Sequence, residues 1–201
     1  MDKRAIIQEF VDFVEGRMSF EEFWNRYETK EQYKKILNDK KPNEKYLYQK
    51  DKTINDCLGF YALSSPRKKM GFHSYILRYL EHYNISFTPT TQYEDEYKFR
   101  IEIQPSYVLI EDEEYLKEII SSAPDGLTAA QRKKWLREHI KGLFRYEKSP
   151  PRWIQDPEWP IVQGKPLVFR GQTKSEANDE RVWYMFYDAD TGEETVVMQF
   201  Y

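Results

Sequence analysis

The first part of the chain, to about residue 90, has the hydrophobic pattern of short amphipathic helices. Apolar residues recur there every three to four positions, between polar and charged ones. Ser19 with Glu22, and Thr29 with Gln32, have the spacing of helix-capping boxes. A polar connection over residues 38–52 interrupts the series, and proline supplies a first helical position after it. The predicted helices begin at Asp2, Ser19, Thr29, Thr53 and Pro66, the last one after a serine cap.

The period then changes to two, which predicts a half-buried strand over residues 97–104. Apolar residues alternate there with charged and polar ones: Tyr97, Phe99, Ile101 and Ile103 are the apolar set. A second short strand is predicted at 107–110. Two further helices follow, one capped by Asp112 and one by Thr128 with Gln131.

The last quarter, residues 150–201, combines prolines, tryptophans and alternating aromatic residues. Its prolines exclude helix and predict an extended entry over 150–160. Turn residues at 163–166 precede three predicted strands, 167–172, 181–187 and 194–201, with a bulge at Gly171 and a hairpin turn at 188–192. Both faces of the 181–187 strand are largely apolar, so we expect the hairpin to be covered on both sides.

These elements predict an α+β fold. A helical N-terminal part is followed by a mainly antiparallel β-sheet, built from the strands at 97–104, 167–172, 181–187 and 194–201 and covered on one face by the helices from 112 and 128. The predicted organisation is a helical region over 1–90 and an α+β region over 91–201.

The last quarter also resembles a C-terminal module of uncharacterised bacterial proteins, some of them encoded in toxin–immunity gene neighbourhoods. The resemblance is carried by the segments PPRWIQ (150–155), PEWPI (157–161), GKPLVF (164–169) and Gly171-Gln172. It covers about a quarter of the chain and brings no catalytic residue with it. It implies a protein partner.

Composition narrows the possible partners. The 201-residue chain has a net charge of −3 and a pI near 5.8, so no overall field attracts nucleic acid or an anionic membrane. A single cysteine excludes an intramolecular disulfide, and no long apolar segment or signal peptide is apparent. We therefore expect a cytoplasmic protein with no cofactor and no membrane contact.

Three sets of residues could carry catalytic or binding chemistry, and each also has a plainer structural interpretation. Cys57 with His73, His82 or His139 could form a dispersed active site, but Cys57 lies on an apolar helix face and favours a buried thiol. The 188–194 segment starts like a calcium loop, yet lacks a third oxygen ligand and the final glutamate. The basic clusters are typical of solvated helix faces, with DNA or RNA binding as the alternative: Arg67, Lys68, Lys69, Arg132, Lys133, Lys134 and Arg137.

The favoured hypothesis is a non-enzymatic protein-binding role, most specifically an immunity-type inhibitor that covers a toxin domain. Trp153 and Trp159 could anchor the partner, or could fix the extended entry to the sheet. Acidic segments could steer a basic partner, with ordinary solvation as the alternative. The acidic candidates for partner binding are Glu94, Asp95, Glu96, Glu111, Asp112, Glu113 and Glu114. An enzyme with a dispersed active site and a nucleic-acid-binding protein remain the alternative functions.

Overall fold

The computed structural model of the chain describes residues 2–39, 52–58, 66–174 and 181–200. The fold is α+β, as predicted. Its contacts divide the chain into two compact units, Met1–Lys98 and Phe99–Tyr201. Most of the predicted polar connection at 38–52 and the serine cap before Pro66 lie outside the described residues.

The first unit is helical. Its helices are α1 (Lys3–Val14), α2 (Phe20–Thr29), α3 (Glu31–Leu37), α4 (Ile54–Leu58) and α5 (Pro66–His82). Asp2 and Ser19 cap α1 and α2 by accepting hydrogen bonds from backbone N–H groups one turn ahead. Buried aromatic rings fill the centre of the unit, with Phe13 stacked on Phe23 at 4.1 Å. These contacts explain why several short helices are stable together.

The predicted cap at Thr29 is wrong. Thr29 is the last residue of α2, and its hydroxyl donates to the carbonyl of Asn25 at 2.7 Å. Helix α3 begins at Glu31, and Lys30 before it makes no side-chain capping bond. The hydroxyl thus bonds within the last turn of α2, so it is not available to cap α3.

The strand predicted at 97–104 is also wrong, because residues 97–103 belong to helix α6 (Gln92–Ile103). Ile101, assigned to the apolar face of a strand, is 46% exposed, whereas Arg100, assigned to the polar face, is buried. Arg100 makes a bidentate ion pair with Glu113, with both N–O distances 2.8 Å. The buried position is thus taken by an arginine whose charge is paired, so the apolar and polar residues of this segment do not mark its buried and exposed sides.

No strand forms at 107–110 either. Val108 and Ile110 are buried, but the N–H of Ile110 donates to Oε1 of Gln104 at 2.7 Å instead of to another strand. The following helices agree with the sequence prediction: α7 (Glu113–Ser121) is capped by Asp112, and α8 (Ala129–Leu143) has a complete Thr128–Gln131 capping box.

Five strands follow α8 within the described residues: β1 (Ile161–Val162), β2 (Lys165–Pro166), β3 (Val168–Lys174), β4 (Arg181–Tyr187) and β5 (Glu194–Phe200). The first two form a small hairpin, whose turn residues Gln163 and Gly164 both have positive φ. The other three form an antiparallel sheet in the order β3-β4-β5. The predicted irregularity near Gly171 is confirmed by a register shift between Phe169 and Gly171.

One face of the three-stranded sheet is covered by α7 and α8, as predicted. Val182, Tyr184 and Phe186 of β4 point into a core that also contains residues of both helices, among them Leu116 and Ile140. The other face carries Trp183, Met185 and Tyr187 of β4 and Val196, Met198 and Phe200 of β5. We call these six residues the open face. The expectation of cover on both sides is wrong, because Val196 and Phe200 are 54% and 55% exposed.

Candidate protein interface

The two tryptophans named as partner-binding candidates lie against the covered face of the sheet. Trp159 is 6% exposed, packs edge-on against Phe144 and Phe186, and donates its indole N–H to the carbonyl of Leu167 at 2.8 Å. Trp153 lies 4.3 Å from the ring of Tyr184, centroid to centroid. This arrangement gives both residues a structural role.

The extended segment around Trp153 is held by one polar side chain from each strand. Gln172 of β3 bonds both the N–H and the carbonyl of Arg152. The hydroxyl of Tyr184 in β4 donates to that same carbonyl at 3.0 Å and accepts from the N–H of Ile154 at 3.1 Å. Residues 152–154 of the extended segment are therefore bound to Gln172 and Tyr184, which gives these residues a role within the fold.

Gln199 of β5 makes the third attachment, and sequence reasoning missed it. Its side chain is completely buried, accepts from the N–H groups of Ile154 and Gln155, and donates to the carbonyl of Asp156 at 2.8 Å. The sequence does contain a signal that could have identified it, namely a glutamine at an inward-facing position of a strand that is rich in apolar residues. A buried amide group needs several hydrogen-bond partners, so such a glutamine is expected to bind neighbouring backbone groups.

The acidic segments are largely engaged within the chain. Glu94 pairs with Lys98, Glu113 with Arg100 and Glu114 with Lys117. Asp95 accepts from the hydroxyl of Thr91, Asp112 caps α7, Glu96 is partly buried and Glu111 is exposed. The two segments also belong to different units, 94–96 to the first and 111–114 to the second. Their partner-binding role remains a prediction, as does that of Trp153 and Trp159.

The open face differs from these candidates because it is both apolar and accessible. Trp183 lies opposite Met198, and Met185 lies opposite Val196. Met198 is 38% exposed, and the three β4 residues of the face are partly exposed. Gly171 of β3, opposite Met185, adds no side chain of its own. Aromatic and methionine side chains of this kind are enriched in protein interfaces.

Charged residues lie around the open face. The guanidinium of Arg170 lies 4.7 Å above the ring of Tyr187 and forms ion pairs with Glu147 and Glu194. Arg181, paired with Phe200 in the strand register, lies at the opposite end of the β4–β5 hairpin. The face is thus an apolar centre with a charged rim, the usual anatomy of a protein-binding surface.

None of the residues considered for catalysis belongs to the open face. Cys57 is buried, as expected. His73 is buried in the first unit, with its Nε2 2.9 Å from the carbonyl oxygen of Val14, and burial lowers the pKa of its imidazole. His139 stacks on Trp135 at 4.7 Å, and His82 lies beside Tyr83. No group of three metal-binding side chains occurs within the described ranges.

Three surface pockets of the described region are candidates for a dispersed active site. The pocket beside β3, of about 300 Å³, is lined by Lys148, Arg152 and Arg170. A pocket of about 250 Å³ has Lys165 and Asp190 among its lining residues, and one of about 550 Å³ lies along α1. None of these three combines a carboxylate with a histidine.

The basic residues of α8 are partly used within the second unit. Arg132 donates to the carbonyl of Ile120 at 2.9 Å, and Lys133 pairs with Glu102. Lys134 and Arg137 are exposed. In the other basic cluster Lys69 pairs with Glu21, and Lys68 is almost fully buried with its Nζ 3.6 Å from the ring centroid of Trp24. Lys68 therefore departs from the solvated position expected of it.

Comparison with family models, with curated proteins and with solved structures finds no match. In the parts of the chain that the structure describes, no helix has the length and apolar character needed to cross a membrane.

Proposed function

We propose that this chain is a non-enzymatic protein-binding protein whose partner docks on the open face, and that it acts as an immunity-type inhibitor of a toxin domain. The observation that carries the proposal is the exposure of Val196, Met198 and Phe200, in one row beside Trp183, Met185 and Tyr187. The resemblance of the last quarter to modules from toxin–immunity neighbourhoods supports the choice of partner.

Exposed apolar surface of this kind supplies binding free energy. Full burial of a large apolar side chain contributes roughly 1.5–3 kcal/mol. Val196, Met198 and Phe200 are between 38% and 55% exposed, so a partner that covered them would gain about 1 kcal/mol from each. The partly exposed Trp183 and Tyr187 add aromatic anchors, which contribute most to binding when a partner fully desolvates them.

The rim favours a protein partner over a nucleic acid. Arg170 is committed to two carboxylates, and its guanidinium covers the ring of Tyr187 on which a base would have to stack. Single-stranded nucleic acid needs aromatic surfaces that are free to stack, together with cations that are free to pair with phosphates. Neither need is met at this end of the face.

The proposal is tested with the product of a toxin-like coding sequence immediately upstream of the gene for this chain. We expect the two purified proteins to form a complex that survives gel filtration, and this chain to inhibit the toxin activity at equal molar amounts. If that product neither binds this chain nor is inhibited by it, the proposed function is wrong.

A further inference from the structure

The pocket beside β3, of about 300 Å³, lies between that strand and the chain segment that leads to Trp153. Three cationic residues line it, namely Lys148, Arg152 and Arg170, and the other described lining residues are neutral. The chain as a whole carries a net charge of −3, so this concentration of positive charge is a local feature. A concave site lined by cations attracts a negatively charged ligand.

Two of the three cations are available to such a ligand. Arg170 is already paired with Glu147 and Glu194. Lys148 and Arg152 are exposed, and no carboxylate among the described residues pairs with either of them. The hydroxyl of the lining residue Ser149 makes no hydrogen bond within the described part of the chain, so it can donate to the same ligand.

The wall that carries the two free cations is attached to β3 at both ends. At one end, the N–H of Glu147 donates to the carbonyl of Phe169 at 3.0 Å. At the other, the N–H of Arg152 donates to Oε1 of Gln172 at 2.7 Å. The residues between these attachments include two consecutive prolines, whose rings fix φ. The backbone on which both cations are carried is thus ordered in advance, which lowers the entropic cost of binding.

The strand register adds a backbone donor to the pocket. The N–H of Asp188 donates to the carbonyl of Glu193 at 2.9 Å, and pairs in an antiparallel hairpin alternate between hydrogen-bonded and non-hydrogen-bonded. Tyr184 and Val197 therefore form a hydrogen-bonded pair, so the backbone groups of Tyr184 point to β5. Gln172, which lies opposite Tyr184 in β3, directs its N–H away from β4, to the edge at which the pocket lies.

We propose that this pocket binds the phosphate group of a small phosphomonoester. Such a group carries a charge of about −1.5 to −2 at neutral pH, which matches the two free cations. The guanidinium of Arg152 offers a fork of donors suited to phosphate oxygens, and the ammonium of Lys148 adds a point charge. The volume of the pocket is at the lower end of the range for ligand pockets, so it suits a small carrier.

The lining disfavours a nucleic acid strand as the source of the phosphate. Phe169 is the aromatic residue of the described lining, and it is only 3% exposed. It offers no ring face on which a base could stack, and single-stranded nucleic acids are bound through such rings. This inference goes beyond the proposed toxin-binding role, because it concerns the β3 edge and a small ligand instead of the open face and a protein.

An NMR titration of the purified, ¹⁵N-labelled chain with glycerol phosphate, at constant ionic strength, tests the proposal. We expect saturable shifts of the backbone amides of Gln172 and Arg152. Lys148→Gln and Arg152→Gln should each weaken binding by at least about fivefold, because each removes a charged donor to the phosphate. Both side chains are exposed, so the two variants should fold.

Lys134→Gln and Arg137→Gln are the matched controls, because they remove the same charges from exposed positions of α8. Each should change the dissociation constant by less than about twofold. If the controls weaken binding as much as the pocket variants do, the attraction is a property of the whole surface and the proposed site is wrong.

A parallel titration with glycerate, a carboxylate of similar size, tests the choice of phosphate. We expect it to bind at least about tenfold more weakly, and equal binding of the two ligands would contradict a phosphate site. Shifts that do not saturate with glycerol phosphate, or that leave the amides of Gln172 and Arg152 unmoved, overturn the proposal without any variant. These titrations contain no partner protein, so their outcome is separate from that of the toxin-binding test.

Discussion

Trp159 joins the small β1–β2 hairpin segment to the main core. Its ring is buried among Phe144, Phe169 and Phe186, and its indole N–H bonds the carbonyl of Leu167. The substitution Trp159→Ala should lower the free energy of unfolding by about 3–5 kcal/mol, the usual cost of replacing a buried large aromatic residue by alanine. Trp159→Phe keeps a ring but loses the hydrogen bond, and should cost less. Denaturant unfolding measures both, and unchanged stability of Trp159→Ala would show that the site is not part of the core.

His73 makes the stability of the first unit sensitive to acid. Burial lowers the pKa of the imidazole from its ordinary 6.5, although the bond to Val14 opposes the shift. The unfolded chain therefore binds a proton at a higher pH than the folded one, and stability falls as the pH drops below 6.5. The loss is complete once the pH is below the folded-state pKa.

The test compares the unmodified chain with His73→Gln, whose side-chain amide can still donate to the Val14 carbonyl. The free energy of unfolding is measured by denaturant titration at a series of pH values from about 7.5 down to about 5. We expect the unmodified chain to lose stability over this range and His73→Gln to lose less. Equal losses in the two proteins would remove His73 as the cause.

Lys68 shows a limit of sequence interpretation at the residue scale. It lies in the run Arg67-Lys68-Lys69, which has the composition of a solvated helix face. In the fold it lies over Trp24, and burial lowers the pKa of its ammonium group. The attraction between a cation and an aromatic ring depends on neighbours distant in sequence, so no local pattern could predict it.

At the scale of elements, the extended segment is attached to the sheet by one polar side chain from each of its three strands. Gln199 satisfies three backbone groups of residues 154–156. In Gln199→Leu these groups lose their bonds to the side chain, at about 1–3 kcal/mol for each one that stays buried. The N–H of Ile154 keeps its bond to the Tyr184 hydroxyl, so we expect a loss of at least about 2 kcal/mol in denaturant unfolding.

Val197→Leu is the control for this change, because it alters a neighbouring, partly buried position of the same strand without removing a polar partner. It should cost less than about 1.5 kcal/mol. If Gln199→Leu is no more destabilising than this control, the hydrogen bonds do not hold the segment.

Sequence periodicity predicted most helices and all three long strands, because each buries one regular face. It failed for α6, where Tyr93 belongs to the first core and Ile103 to the second, while Arg100 is buried through its pair with Glu113. Because these three residues are buried in different places, the apolar residues of α6 do not recur with the helical period. They alternate with polar residues instead, as they would in a strand. The predicted cap at Thr29 failed for a local reason, since its hydroxyl bonds backward into α2.

At the scale of the whole molecule, the candidate site was only partly predictable. The aromatic β4–β5 hairpin was evident from the sequence, but its two apolar faces looked equivalent. Which of them is covered is decided by residues from α7 and α8, such as Leu116 and Ile140, and this depends on tertiary packing. The tryptophans were evident candidates, yet their indole N–H groups point to carbonyls inside the fold.

We propose that the open face binds the partner protein. Val196 and Val162 allow a matched test, because both are exposed valines in strands of the second unit, at 54% and 43%, and only Val196 belongs to the open face. The change to glutamate adds the same charge at either position. Both variants should fold, since neither side chain is buried.

The decisive measurement is the dissociation constant of the complex with the upstream toxin-like product, determined by calorimetry for the unmodified chain and for both variants. We predict that Val196→Glu weakens binding by at least about 2 kcal/mol, or roughly thirtyfold, and that Val162→Glu changes it by less than about threefold. Equal dissociation constants for the unmodified chain and Val196→Glu would contradict the account.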